Sequence, residues 1–172
     1  MTEALYILLA FVVGFGSAFQ VAMLGELRGE RGSFEASWIN TLGALSSLTV
    51  AMVVLGLTKV DPPDLPSPFD KTWVFAVAGA IGLVALALSL RGLPGYLAIV
   101  GFFGFSYVLA SAFLGPRIGI ALYISAVTAG TLIGGVGLDH YGAFGNQAIR
   151  VDALKVLGLG FLMVGVVLIK GR

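Results

Sequence analysis

Six apolar stretches, set apart by short polar punctuation, constrain this chain more than any other feature: residues 4–24, 36–58, 72–90, 96–114, 118–138 and 153–169. The first five hold no Asp, Glu, Lys or Arg and run to between 19 and 23 residues. About 20 such residues in a helix cross the roughly 30 Å hydrocarbon core of a bilayer. Only helices and closed barrels satisfy every backbone N–H and C=O there. The runs are continuous, not alternating as barrel strands would be. The expected fold is therefore all-α, a polytopic transmembrane bundle of about six spans, in one integral membrane domain over residues 1–172.

Hydrophobic residues make up 58% of the chain and charged residues 11%, against roughly 25% charged in soluble domains. The spans take up nearly all of it, leaving no soluble catalytic domain. There is no cysteine, which removes disulfides, thiolate metal sites and thiol nucleophiles. One His builds no zinc site by itself, and an intramembrane hydrolase needs a nucleophile with a base or several metal ligands. Neither an enzyme nor a cofactor is expected. With a net charge of +1 and no basic run, nucleic acid is not a partner. Met1-Thr2-Glu3 is acidic and the apolar stretch after it is long, so residues 4–24 are expected to be a retained span, not a signal peptide.

The connections expected from this pattern are a compact charged turn over 25–35 and an extended, solvated loop over 59–71, which carries four prolines. Short hairpins are expected at 91–95 and 115–117, and a packed turn at headgroup depth over 139–152. In the charged turn, Glu26, Glu30 and Glu35 are expected to form solvated pairs with Arg28 and Arg31. Six spans put Lys59, Lys71, Arg117, Lys170 and Arg172 on one side, and Arg28, Arg31, Arg91, Arg150 and Lys155 on the other. Lys and Arg normally collect on the cytoplasmic side. An even split leaves dual insertion open beside one fixed orientation, and two oppositely inserted copies could pair as an inverted repeat.

Small residues let helices approach closely in lipid. Ala126, Gly130 and Gly134 recur every fourth residue in the fifth stretch, Gly101 and Gly104 lie in the fourth, and Gly14 in the first. These are expected to be packing seams. Polar residues at membrane depth need partners. Gln20, Asn40, Ser106, Tyr107, Tyr123 and Thr131 are the candidates to line a substrate cavity. Ser and Thr can bond back to their own helix, whereas the two donors and the acceptor of a primary amide are harder to satisfy locally. No charged residue falls at mid-membrane depth. Asp139 with His140, at the end of the fifth stretch, is the candidate proton-coupling pair, a carboxylate beside an imidazole. A cap on the following turn is the simpler reading of the same two residues.

Several motifs resemble one family. Gly115-Pro116-Arg117-Ile118-Gly119, the run Thr128-Ala129-Gly130-Thr131, the turn Leu138-Asp139-His140-Tyr141-Gly142-Ala143-Phe144-Gly145 and the closing Leu157-Gly158 with Gly165-Val166 are similar to the YdcZ-like family of the drug/metabolite transporter superfamily. Gly14 to Gln20 with Ala36 to Gly43 resembles its first helix pair, and Gly101-Phe102-Phe103-Gly104 its middle one. The chain departs from the family pattern at Thr131, where Gln is common, at Leu24, where Asn is common, and in the span 72–90, which has no obvious counterpart in short, five-helix members. The resemblance implies a bundle like the drug/metabolite and small multidrug-resistance transporters, in the cytoplasmic (inner) membrane of a prokaryote. It implies a transporter working by alternating access; one subunit of this size has little room for a full path, so a homodimer enclosing a midplane cavity is expected. An apolar cavity with a few hydroxyls and amides suits neutral, zwitterionic or amphipathic molecules, lipids included. The alternative is a non-transporting membrane subunit that packs against a partner protein.

Overall fold

The structure is a computed structural model that describes residues 3–59 and 65–170. It contains six helices long and apolar enough to cross a membrane: α1 (Glu3–Arg31), α2 (Ser33–Thr58), α3 (Thr72–Ser89), α4 (Val100–Ile118), α5 (Ile120–Tyr141) and α6 (Ala153–Lys170). A 3-10 turn, Gly95–Ile99, leads into α4, and another, Ala143–Gly145, follows α5. Of the proline-rich connection, residues 60–64 lie outside the described residues. Its remainder closes as a turn in which the Phe69 N–H donates to the Pro66 carbonyl at 2.9 Å.

Two connections are shorter than the apolar pattern suggests. The charged segment 25–31 is helical, so α1 is 29 residues long, roughly 43 Å at 1.5 Å per residue. Glu, Leu and Arg are good helix formers, and leaving the apolar stretch does not stop the helix. Gly32, at φ +90°, is the whole turn between α1 and α2. Likewise α4 continues through Gly115, Pro116 and Arg117, and Gly119, at φ +87°, joins it to α5. Pro116 falls in the last turn, where its missing N–H forfeits one bond of the helix ladder, to the Ala112 carbonyl, just before the helix ends at Gly119.

The helices pack as two equivalent triplets. α1 packs on α5 and α4 on α2; α1 and α4 touch each other; α3 lies on α2 and α6 on α5. Exchanging α1 with α4, α2 with α5 and α3 with α6 leaves this pattern unchanged. Three spans per half reverse the chain's direction, so the second half is inverted relative to the first. The atoms obey the same exchange. A Cβ on Gly14 would sit 2.0 Å from the Val127 carbonyl oxygen, and one on Gly101 2.5 Å from that of Asn40. A Cβ on Gly130 would meet the Phe11 carbonyl, and one on Gly43 the Ala98 carbonyl. One constant offset, the one carrying Gly32 onto Gly119, relates all these residues. It also aligns Val13-Gly14-Phe15 with Val100-Gly101-Phe102, and Thr41, Gly43 and Leu45 with Thr128, Gly130 and Leu132.

The seams expected at Gly14, Gly101, Gly130, Gly134 and Ala126 are thus contacts within one chain. Gly134 receives Ala18 and Phe15 of α1, and Ala126 is buried beside Ala10 and Leu114. Gly104 serves a polar contact described below. The glycines of α6, by contrast, have nothing near the place a Cβ would occupy. The third span is peripheral, resting Gly79 and Gly82 against Thr49 and Ser46 of α2.

Candidate functional site

At one membrane face meet the end of α1, the start of α2, the 3-10 turn before α4, the end of α5 and the loop after it. This is the Gly32 face. The Gly119 face lies opposite, at the start of α1 and the end of α4.

Toward the Gly32 face, Gln20 on α1 reaches Asn40 on α2. The Gln20 Nε2–H donates to Asn40 Oδ1 at 2.9 Å, and both residues are half-buried. Gly104 of α4 makes room: a Cβ there would lie 2.7 Å from Gln20 Nε2. This bond uses one donor and one acceptor of the two amides. The Gln20 oxygen and the Asn40 amino group are left over for a third party.

The other four candidates lie elsewhere. Tyr123 is buried on α5 and its hydroxyl donates to the Tyr107 carbonyl at 3.3 Å, with the Tyr107 ring facing outward. Ser106 bonds back to the Phe102 carbonyl at 2.8 Å. It borders an apolar groove of about 310 Å³ between α1 and α4, in the half of the bundle nearer the Gly119 face. Thr131 bridges two helices, its hydroxyl reaching the carbonyls of Val127 at 2.9 Å and Gly14 at 3.0 Å. The six therefore do not line one cavity. Gln20 and Tyr107 are equivalent positions of two inverted halves, which sends them toward opposite faces.

Thr131 also borders a cavity of about 450 Å³ between α1, α5 and the 143–149 loop, whose lining includes Asp139, Asn146 and Gln147. Asp139 and His140 are exposed, and the structure gives them separate partners. The Asp139 carbonyl accepts from the N–H groups of Gly142 and Ile149, at 3.2 and 2.7 Å. His140 Nδ1 accepts from the Val151 N–H at 3.3 Å. The two residues anchor the returning loop through these bonds.

A family model described as "Putative inner membrane exporter, YdcZ" matches the chain twice, over residues 5–95 and 88–168. The chain belongs to the YdcZ family. The two matches divide it where the packing does, and the first runs through 72–90, so α3 stands in the first half where α6 stands in the second. The chain is accordingly a multi-pass protein of the inner membrane, in a family described as inner membrane exporters. No curated protein and no solved structure matches it.

Three residues at the Gly32 face carry more structure than their sequence context suggests. Asn146 Nδ2 donates to the carbonyls of Ala22 and Ala143, each at 2.9 Å, which ties the loop to α1. Phe144, at φ +57° between Gly142 and Gly145, inserts its ring 6.1 Å from those of both Phe19 and Tyr96. Glu26, expected to pair in solvent with Arg28 or Arg31, instead accepts a hydrogen bond from the Tyr96 hydroxyl. Its partner is distant in sequence and carries no charge, so charge spacing could not have found it. The glycines beside Phe144 were the available signal for the inserted ring.

Proposed function

We propose that this YdcZ-family protein moves a neutral, zwitterionic or amphipathic small molecule across the inner membrane by alternating access, as a homodimer. The observation that carries the reading is the inverted three-helix repeat: such repeats give a membrane protein two equivalent gates around one central site, and rocking one half on the other exchanges which gate is open. Gln20 and Asn40 are the substrate-binding pair, offering an oxygen and an amino group beside Gly104. Thr131, Ser106, Tyr107 and Tyr123 border the path on either side of them. Asp139, which lines the cavity of about 450 Å³, and its neighbour His140 are the proton-coupling candidates. The α1–α4 groove is open laterally, and a second copy over it would complete an enclosed path.

The test is flux into proteoliposomes for a panel of neutral and zwitterionic amphiphiles. Gln20→Ala removes one hydrogen bond to substrate, about 1 kcal/mol, and is expected to lower uptake roughly fivefold. Ser46→Ala, on the α2–α3 seam, is expected to leave uptake unchanged. Equal activity of the two variants would refute the assignment of the site.

A further inference from the structure

The repeat allows equivalent places at the two faces to be compared directly, and they differ. The offset that carries Gly32 onto Gly119 places Tyr96 on Leu9, Phe19 on Ser106, Ala22 on Leu109 and Glu26 on Phe113 reversed end for end, each pair holding equivalent positions in the two halves. Leu9, Ser106, Leu109 and Phe113 border the open groove of about 310 Å³ at the Gly119 face. At the Gly32 face the corresponding space is filled. The Phe19 ring stacks 6.2 Å from Phe103 and meets Phe144, Phe144 meets Tyr96, and the Tyr96 hydroxyl bonds to Glu26 Oε1. Behind them Met23 is 4% exposed and Val100 is fully buried. Glu26 Oε2 is buried there without a partner.

We propose that Glu26 and Tyr96 form the gate of the Gly32 face: their hydrogen bond holds the end of α1 against the start of α4, and its loss lets that face open while the α1–α4 groove closes at the other. This rests on the alternating-access reading above. Packing alone does not account for the pair. The equivalent residues, Phe113 and Leu9, border the open groove and carry no polar group, so α1 and α4 pack on each other there without one. A carboxylate oxygen buried without a partner is costly, and a single contact that can be broken and remade is what a gate requires. Phe144 packs its ring on Tyr96 from the loop that Asn146 pins to α1.

The chain has no cysteine, so a single introduced thiol reports each face. Met23→Cys probes the space behind the gate and Ala110→Cys probes its equivalent on the groove. Each is placed in nanodiscs, where a water-soluble maleimide reaches both faces. Adding Tyr96→Phe or Glu26→Ala is expected to speed modification at Met23→Cys roughly tenfold and to slow it at Ala110→Cys, the shift expected from losing one charge-assisted hydrogen bond. Glu26→Gln keeps an acceptor oxygen and is expected to stay within about twofold of the parent. Unchanged labelling at Met23→Cys would overturn the proposal. So would faster labelling there with no change at Ala110→Cys, which marks a local packing contact. Failure of the transport reading has another signature: a parent protein that passes none of the amphiphiles while the two thiols still respond reciprocally.

Discussion

Gly14→Ala is the most demanding perturbation of the packing described here, because two effects of opposite sign compete at one atom. Replacing a helical glycine by alanine ordinarily stabilises a helix by about 1 kcal/mol. At Gly14 the added Cβ would lie 2.0 Å from a backbone oxygen, that of Val127, which no rotamer change can move. Relief needs α1 and α5 to separate by about 1 Å, and such overpacking costs about 1–3 kcal/mol. A backbone obstacle puts the cost at the upper end, for a net loss of about 1–2 kcal/mol, or roughly 2–8 °C in midpoint at this chain length. Gly158→Ala meets nothing within 4 Å and is expected to gain up to about 1 kcal/mol. Thermal unfolding in detergent, followed by loss of the monodisperse peak on size exclusion, gives both values. Combining Gly14→Ala with Gly130→Ala is expected to cost less than the sum, since helices separated by one methyl already have room for the other. Gly14→Ala as stable as the parent, or indistinguishable from Gly158→Ala, would refute the reasoning.

Two further outcomes follow from the same geometry. Ser46→Ala removes a hydroxyl that is buried without a hydrogen-bond partner and is expected to raise stability by about 1 kcal/mol in the same unfolding assay. Ser67→Cys, in the proline-rich connection, decides between the two orientations that an even split of Lys and Arg leaves open: labelling from outside intact cells at about half its level in lysed cells marks insertion in both directions, and labelling of all or none marks one fixed orientation.

The six helices were legible because the bilayer leaves a chain so few choices: a long, charge-free stretch must satisfy its backbone internally. Their ends were not legible from hydropathy. Residues 25–31 are polar yet helical, because helix propensity persists past the apolar boundary, and one glycine at positive φ is enough to turn the chain. The amide pair could be picked out singly, since Gln and Asn are rare at depth, and their hydrogen bond joins two of the chosen residues. The wider pocket could not, because which residues share a cavity depends on how inverted halves sit, and the repeat is sparse in sequence. It survives mainly where glycine is required for close approach, as at Gly14 and Gly101 or Gly43 and Gly130, and at the two turns. Asn146 and Phe144 escaped because their partners on α1 are remote in sequence and reached only by a loop that folds back.

The repeat also separates what holds the bundle together from what distinguishes its faces. Positions shared by the two halves are those where helices touch: Gly14 with Gly101, Gly43 with Gly130, Leu27 with Leu114. Positions that differ carry the polar chemistry. Gln20 is matched by Tyr107, Asn40 by Val127, Glu26 by Phe113 and Thr131 by Ala44. If the halves rock as proposed, equivalent packing would give the two access states similar architecture, and a few polar contacts on one side would be enough to decide which state predominates at rest. Such a bias cannot by itself give a direction to transport. A bound molecule shifts the balance between states only by its differential affinity for them, and net export needs a gradient of substrate or of a coupled ion. On that proposal the asymmetry of the Gly32 face sets the resting state, and Asp139 and His140 are the candidates through which coupling would act.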